Sequence, residues 1–255
     1  MKLELVPSVI RVDPPRIDLA FLEQHPEVEP HKKKVLEEHD NTCAHCGFRS
    51  LSFMEVKHLD GDHRNHAIKN LRPICSICHL VDHVDYAGDA AEAIAIWAPE
   101  ISQERISHVM RTALMAQRHA EKANAQKAAA GVPQAGRARG GQMSPEERRE
   151  VQQMADNAKV IIESLRNREE KAKTEWGTSS LRDIAMTLRR MSDAEYVNRS
   201  AIFVGMRIFP LGRRIVSGVD TMPMRVEKWN EPRETYVSLK PQSWSRILKM
   251  ADLRG

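Results

Sequence analysis

Between Val56 and His83 the chain reads VKHLDGDHRNHAIKNLRPICSICHLVDH, with five histidines, three aspartates and a Cys-x-x-Cys pair in one stretch. Imidazoles and carboxylates bind metals and carry protons, and thiolates are soft metal ligands. All four cysteines lie in residues 43–78, as Cys43-Ala-His-Cys46 and Cys75-Ser-Ile-Cys78. Zinc favours four such ligands in a tetrahedron, and two Cys-x-x-Cys turns close that shell. Gly47 follows the first pair, where the backbone must turn sharply under a metal. A closed four-thiolate shell is structural, because catalysis needs an open coordination position. The competing reading is four free or redox-active cysteines; the paired spacing favours Zn2+. Bound metal would pin the ends of the 28 residues between the pairs, contributing on the order of 10 kcal/mol to a region with little core of its own.

The surrounding chain is 255 residues long, 41% apolar and 29% charged, with a formal net charge of +4. That is an ordinary globular mixture, long enough for one large or two small domains. The mild basic excess permits nucleic-acid contact without arguing for it, since such binding rests on local Lys and Arg clusters. No window offers the ~20 apolar residues that cross a bilayer. The N-terminus is broken by Glu4, Pro7 and Arg11, so it lacks a signal-peptide core. The expectation is a cytoplasmic protein with no membrane insertion.

Several elements can be read around the metal-rich stretch. LELVPSVIRV alternates like a strand, and Pro14, Pro15, Pro26 and Pro30 punctuate the chain after it. Residues 31–39 fit a short helix. The run AAEAIAIWAPE reads as a helix that stops before Pro99. Ser102 is an N-cap for a helix whose face carries Ile106, Val109, Met110, Ala113 and Leu114. Residues 119–143 turn rich in alanine and glycine; the alanine-rich start can extend the helix, and Gly131–Gly141 reads as a flexible linker. Ser144, Pro145 and Glu147 form a capping box for a helix reaching about Trp176. SSLRDIAMTLRRM is a second helix, AIFVGMRIFPLGRRIV contains a strand ended by Pro210, and QSWSRILKMADLR is a terminal helix or docking tail.

The segments NTCAHCG, VKHLDGDHRN and NLRPICSICH, with a further His beyond them, resemble in order and spacing the HNH nuclease, or ββα-metal, pattern. By that resemblance His58 is the general base and Asn70 holds the loop. His79 and His83, one turn apart on a helix, would bind a second ion, Mg2+ or Mn2+. One residue departs from the pattern. The position before the base usually carries a metal-binding His, Asp or Glu, and here it is Lys57. A protonated ammonium does not ligate, and it repels a cation. Asp60, Asp62 and His63 are the nearest substitutes, at unusual spacing, so the departure points to a relic.

A second resemblance runs further. LELVPSVIRV, KVLEEHDNTCAHCGF, FMEVKHLDGDHRNHAIKNL, IWAPEISQERISHVMRTAL and MRIFPLGRRI follow one order. They look like the IcmJ/DotN family of type IVB secretion and conjugation systems, with most of the similarity in residues 1–118. That resemblance implies a non-enzymatic adaptor that binds the C-terminal extension of the coupling ATPase and its adaptor proteins, at the cytoplasmic face of the inner membrane. The expected fold is α+β: a zinc-stapled HNH-like ββα core, N-terminal strands and a mainly helical C-terminal half. The expected divisions are 1–118 for the zinc domain, 119–143 for the linker, 144–216 for a helical region with a late strand, and 217–255 for a C-terminal extension. Two other functions compete. One is a metal-dependent HNH endonuclease acting on DNA. The other is a nucleic-acid-binding zinc module that does not cut, which dispersed charge and 5% aromatic content disfavour.

Overall fold

The computed structural model describes residues 5–11, 29–130 and 143–231, with backbone alone for 126–130. Helix α1 (Glu29–Glu38) leads to a tight loop holding Cys43 and Cys46. Strands β1 (Met54–His58) and β2 (Leu71–Cys75) pair antiparallel, with Met54 opposite Cys75 and His58 opposite Leu71. Helix α2 (Ser76–Asp82) starts directly from the end of β2, and α3 (Val84–Asp89) follows it. Strand β3 (Ala93–Trp97) then precedes the long helix α4 (Gln103–Ala130).

After residue 142 come α5 (Pro145–Arg166), α6 (Glu169–Trp176), α7 (Leu181–Arg190) and the short α8 (Asp193–Val197) and α9 (Arg199–Ile202). Strand β4 (Met206–Pro210) returns to pair with β3, and the two-residue strands β5 (Ile215–Val216) and β6 (Val219–Asp220) form a small hairpin before α10 (Met222–Trp229). The fold is thus helices around small antiparallel two-stranded sheets.

Several sequence expectations change here. Residues 5–11 form no strand. They lie along the junction of α2 and α3, where Ser8 N–H donates to Val81 O and Ser8 O accepts from Val84 N, both at 3.0 Å. Pro7 has no N–H to give a ladder, while these two bonds serve backbone groups at a helix junction. The run AIAIW is strand β3, not helix. Its alanines favour a helix, but Ile94 and Ile96 are β-branched, and β4 offers a full antiparallel partner from Ala93↔Pro210 to Trp97↔Met206. The helix expected to reach Trp176 breaks at residues 167–168, where Arg168 O accepts from both Trp97 N and Ala172 N.

Residues 119–130 continue α4, so the expected linker is helical over that part. Gly131–Gly141 lies outside the described residues, as do Pro14, Pro15, Pro26 and the tail QSWSRILKMADLR. The boundaries at 118, 144 and 217 do not separate cores. One buried apolar cluster joins Leu5, Cys43, Ile77, Ala113, Met154, Ile184, Ile208 and Trp229. The reason is topological: β3 needs β4, α4 packs along α5, and α10 lies on α4.

Candidate metal centre and histidine cluster

Two adjacent clusters sit on the β1–β2–α2 unit. The first holds the cysteines. Cys43 N–H donates to Phe48 O at 2.8 Å and Cys43 O accepts from Gly47 N at 2.9 Å, which folds the first pair into a knuckle. Gly47 closes it at φ +72°, a conformation only glycine adopts without cost. Cys75 ends β2 and Cys78 lies in the first turn of α2, so strand and helix together aim the second pair.

All four cysteines are buried and free of disulfides. Their sulfurs lie within 4.8 Å of one another, and Cys46 Sγ is 3.7 Å from Cys75 Sγ. A tetrahedral thiolate shell with bonds of ~2.3 Å has edges of about 3.8 Å, so the set fits a metal ion such as zinc. Within the set, a hydrogen bond from Cys43 holds Cys46 well below the ordinary thiol range, whereas burial pushes Cys75 well above it.

A third contributor comes from α4. Arg111 is buried and donates from Nη2 to Cys75 Sγ at 2.9 Å and to Cys46 Sγ at 3.5 Å. Its guanidinium lies 3.9 Å from the centre of the Phe48 ring and 5.9 Å from that of Trp229. Sequence reading missed this residue. The one signal was a charge beside the apolar stripe of Ile106, Val109, Met110, Ala113 and Leu114.

The second cluster holds histidines. His58 ends β1, His63 and His66 lie in the β1–β2 loop, His79 is on α2, and His83 joins α2 to α3. The rings form a connected row. His66 Nδ1 is 3.3 Å from His58 Nε2; ring centres are 4.6 Å apart for His58–His63, 4.9 Å for His63–His83 and 4.8 Å for His79–His83. Burial and the neighbouring imidazoles lower His58 to about 3 and His63 to about 4, and burial holds His83 well below its ordinary value. These three rings are therefore neutral at neutral pH, the state that binds metal or accepts a proton. Neither ring nitrogen of His83 has a hydrogen-bond partner among the described residues.

The Asn70 side chain bonds within the β1–β2 loop. Its Oδ1 accepts from Asp60 N at 3.1 Å, and its Nδ2 donates to Asp60 Oδ1 at 2.8 Å and Asn65 O at 2.9 Å. Asp60 and Asp62 stay out of the cluster: Asp60 is bonded within the loop, and Asp62 is paired with Arg64 at 2.9 Å. His63 joins the cluster.

The nearby carboxylates are Asp82 and Glu55. Ligand atoms of His79, Asp82 and His83 lie within 4.8 Å of one another. Asp82 is also the partner of Lys57, whose Nζ is 2.7 Å from Asp82 Oδ1 and 3.4 Å from His45 Nε2. Burial pushes the Asp82 carboxyl up, but Lys57 and His79 bring it below its ordinary value. Glu55 takes His79 Nδ1 at 2.6 Å, Arg214 at 2.9 Å and Arg225 at 2.8 Å. Sequence reading missed Glu55, Arg214 and Arg225, because partners 159 and 170 residues apart share no local motif.

No protein-family model and no curated protein matches the chain, so the functional reading rests on these two clusters and the elements that hold them.

Proposed function

We propose that the chain is a zinc-stabilised adaptor of a type IVB-like secretion or conjugation coupling complex, binding the C-terminal part of the coupling ATPase. In this reading β1, β2 and α2 are an HNH-like ββα core. Zn2+ on Cys43, Cys46, Cys75 and Cys78 is its staple. The chain acts at the cytoplasmic face of the inner membrane through its partners; no described helix is long and apolar enough to cross a membrane.

The observation that carries the non-enzymatic reading is the Lys57–Asp82 ion pair. The ammonium engages Asp82, the carboxylate grouped with His79 and His83 among the described residues, and places a positive charge beside them. A divalent ion would have to displace or face that charge at close range. Arg214 adds a second cation nearby through Glu55. The direct test is co-purification of the full chain with the C-terminal segment of the cognate coupling ATPase. A stable complex is expected, with one metal ion per chain; no complex at micromolar concentrations of both overturns the adaptor reading.

The histidine row favours a second reading, a metal-dependent HNH endonuclease. Here His58 is the base, Asn70 holds the loop, and His79 and His83 take Mg2+ or Mn2+. Nicking of plasmid DNA that needs added Mg2+ or Mn2+ and disappears in His58→Ala would establish it. Absence of nicking in protein with a full cysteine site would dismiss it.

A further inference from the structure

We infer that His79, Asp82 and His83 form a preassembled site for a divalent transition-metal ion, and that the Lys57 ammonium is the internal cation that holds it closed. The inference rests on the Lys57–Asp82 pair that supports the non-enzymatic reading, and adds the class of ion the same ligands take once Lys57 is neutral.

The three residues recur at i, i+3 and i+4 along α2 and its C-cap, one face of a helix. Their ligand atoms lie within 4.8 Å of one another. Glu55 and Lys57 are two residues apart on β1 and so share a face of the strand. Both reach this site, with opposite effects. The Glu55 carboxylate, held by Arg214 and Arg225, takes Nδ1 of His79 at 2.6 Å. Nε2 is then the nitrogen left to ligate, the arrangement in which a carboxylate orients a metal-binding imidazole. His83 is 5% exposed, and both of its ring nitrogens lack a hydrogen-bond partner among the described residues. Burial of such unpaired polar atoms is unfavourable, and ligation of an ion removes the penalty for one of them. The third ligand is the one already engaged. Lys57 Nζ sits 2.7 Å from Asp82 Oδ1, with side chains 13% and 11% exposed. Neutralising the ammonium alone leaves a sheltered Asp82 carboxylate without its counter-charge, beside two imidazoles. Two imidazoles and one carboxylate suit Zn2+, Co2+ or Ni2+, whereas Mg2+ prefers oxygen ligands and keeps its water. That preference separates this site from one built for Mg2+.

The test uses the full chain with its cysteine site filled with Zn2+, as wild type, Lys57→Met and Lys57→Gln. The glutamine amide still donates to Asp82, so that variant supplies the comparison if Lys57→Met does not fold. Co2+ is titrated in and ions per chain are counted by elemental analysis. The visible spectrum distinguishes nitrogen and oxygen ligands from the sulfur charge-transfer bands of an exchanged cysteine site. Wild type is expected to keep one Zn2+ and to take no Co2+ at micromolar concentrations. Each neutral variant is expected to take one Co2+ per chain, bound at least about 100-fold more tightly than by wild type, the effect of removing a unit charge close to a dication in a partly screened site. Adding His83→Ala to Lys57→Gln is expected to abolish the gain, and Mg2+ in place of Co2+ to give none. A folded neutral variant that takes no Co2+, a gain that survives His83→Ala, or an equal gain with Mg2+ overturns the inference and leaves the adaptor reading to co-purification. A wild-type chain that takes a second ion as tightly as the variants overturns the inference together with the ion-pair support for the non-enzymatic reading.

Discussion

At the scale of single residues, the two clusters differ in what they ask of their surroundings. The cysteines are complete within two turns and need the fold only to bring those turns together. Cys75→Ser is therefore expected to abolish metal retention and to lower the denaturation midpoint sharply, since the lost binding energy is on the order of 10 kcal/mol. Metal analysis and urea unfolding of the same sample check this. The histidines set the response to acid. His58 lies at about 3 and His63 at about 4 in the folded chain, below the ordinary value of 6.5. Below pH 6.5 the unfolded chain takes up protons that the folded rings refuse. Stability is thus full above 6.5 and falls as the pH drops toward 4 and then 3, by up to ~1.4 kcal/mol per pH unit for each ring. Thermal midpoints from pH 7 to pH 4 should show the decline, and a flat profile would contradict it. The cysteine motif was legible in the sequence because zinc ligands come at fixed local spacing. Arg111 and Glu55 were not, since their partners lie far along the chain and nothing nearby marks them.

At the scale of elements, the capping signals were legible and the strand pairing was not. Ser144 Oγ accepts from Glu147 N, and Glu147 Oε2 accepts from Ser144 N at 2.6 Å, as the local motif required. Ser144→Ala is expected to cost about 1 kcal/mol, measurable by chemical denaturation. Strand β3 was misread because alanine content is a local property, whereas the partner that makes it a strand lies at residues 206–210. Gly205 marks the same junction. It has φ +83°, and a Cβ there would meet the Trp97 ring at 2.7 Å. Gly205→Ala is expected to destabilise by roughly 2–4 kcal/mol, combining the left-handed backbone with overpacking. A neutral result in equilibrium unfolding would show that the ring can shift.

At the scale of the molecule, the C-terminal segment from 217 to 231 is part of the core and not an appendage. Met222, Val226 and Trp229 are buried, and Arg214 and Arg225 converge on Glu55 of β1. Trp229→Ala is expected to cost about 3–5 kcal/mol and to expose one face of Arg111, read by denaturation together with the rate of metal loss. Composition marks where a chain changes character, not where its buried surfaces end. Continuity of the core comes instead from β3–β4, α4–α5 and α4–α10 packing, none of which leaves a local trace.

The β3–β4 pair has a consequence for biosynthesis. Ala93 must wait for Pro210. At ~5–20 residues per second, a ribosome needs on the order of ten seconds to deliver that partner. For that interval AIAIW is a nascent apolar edge without its ladder, the kind of segment that recruits chaperones or associates with other chains. Yield of the protein should therefore depend on translation speed and chaperone supply more than its finished stability would suggest.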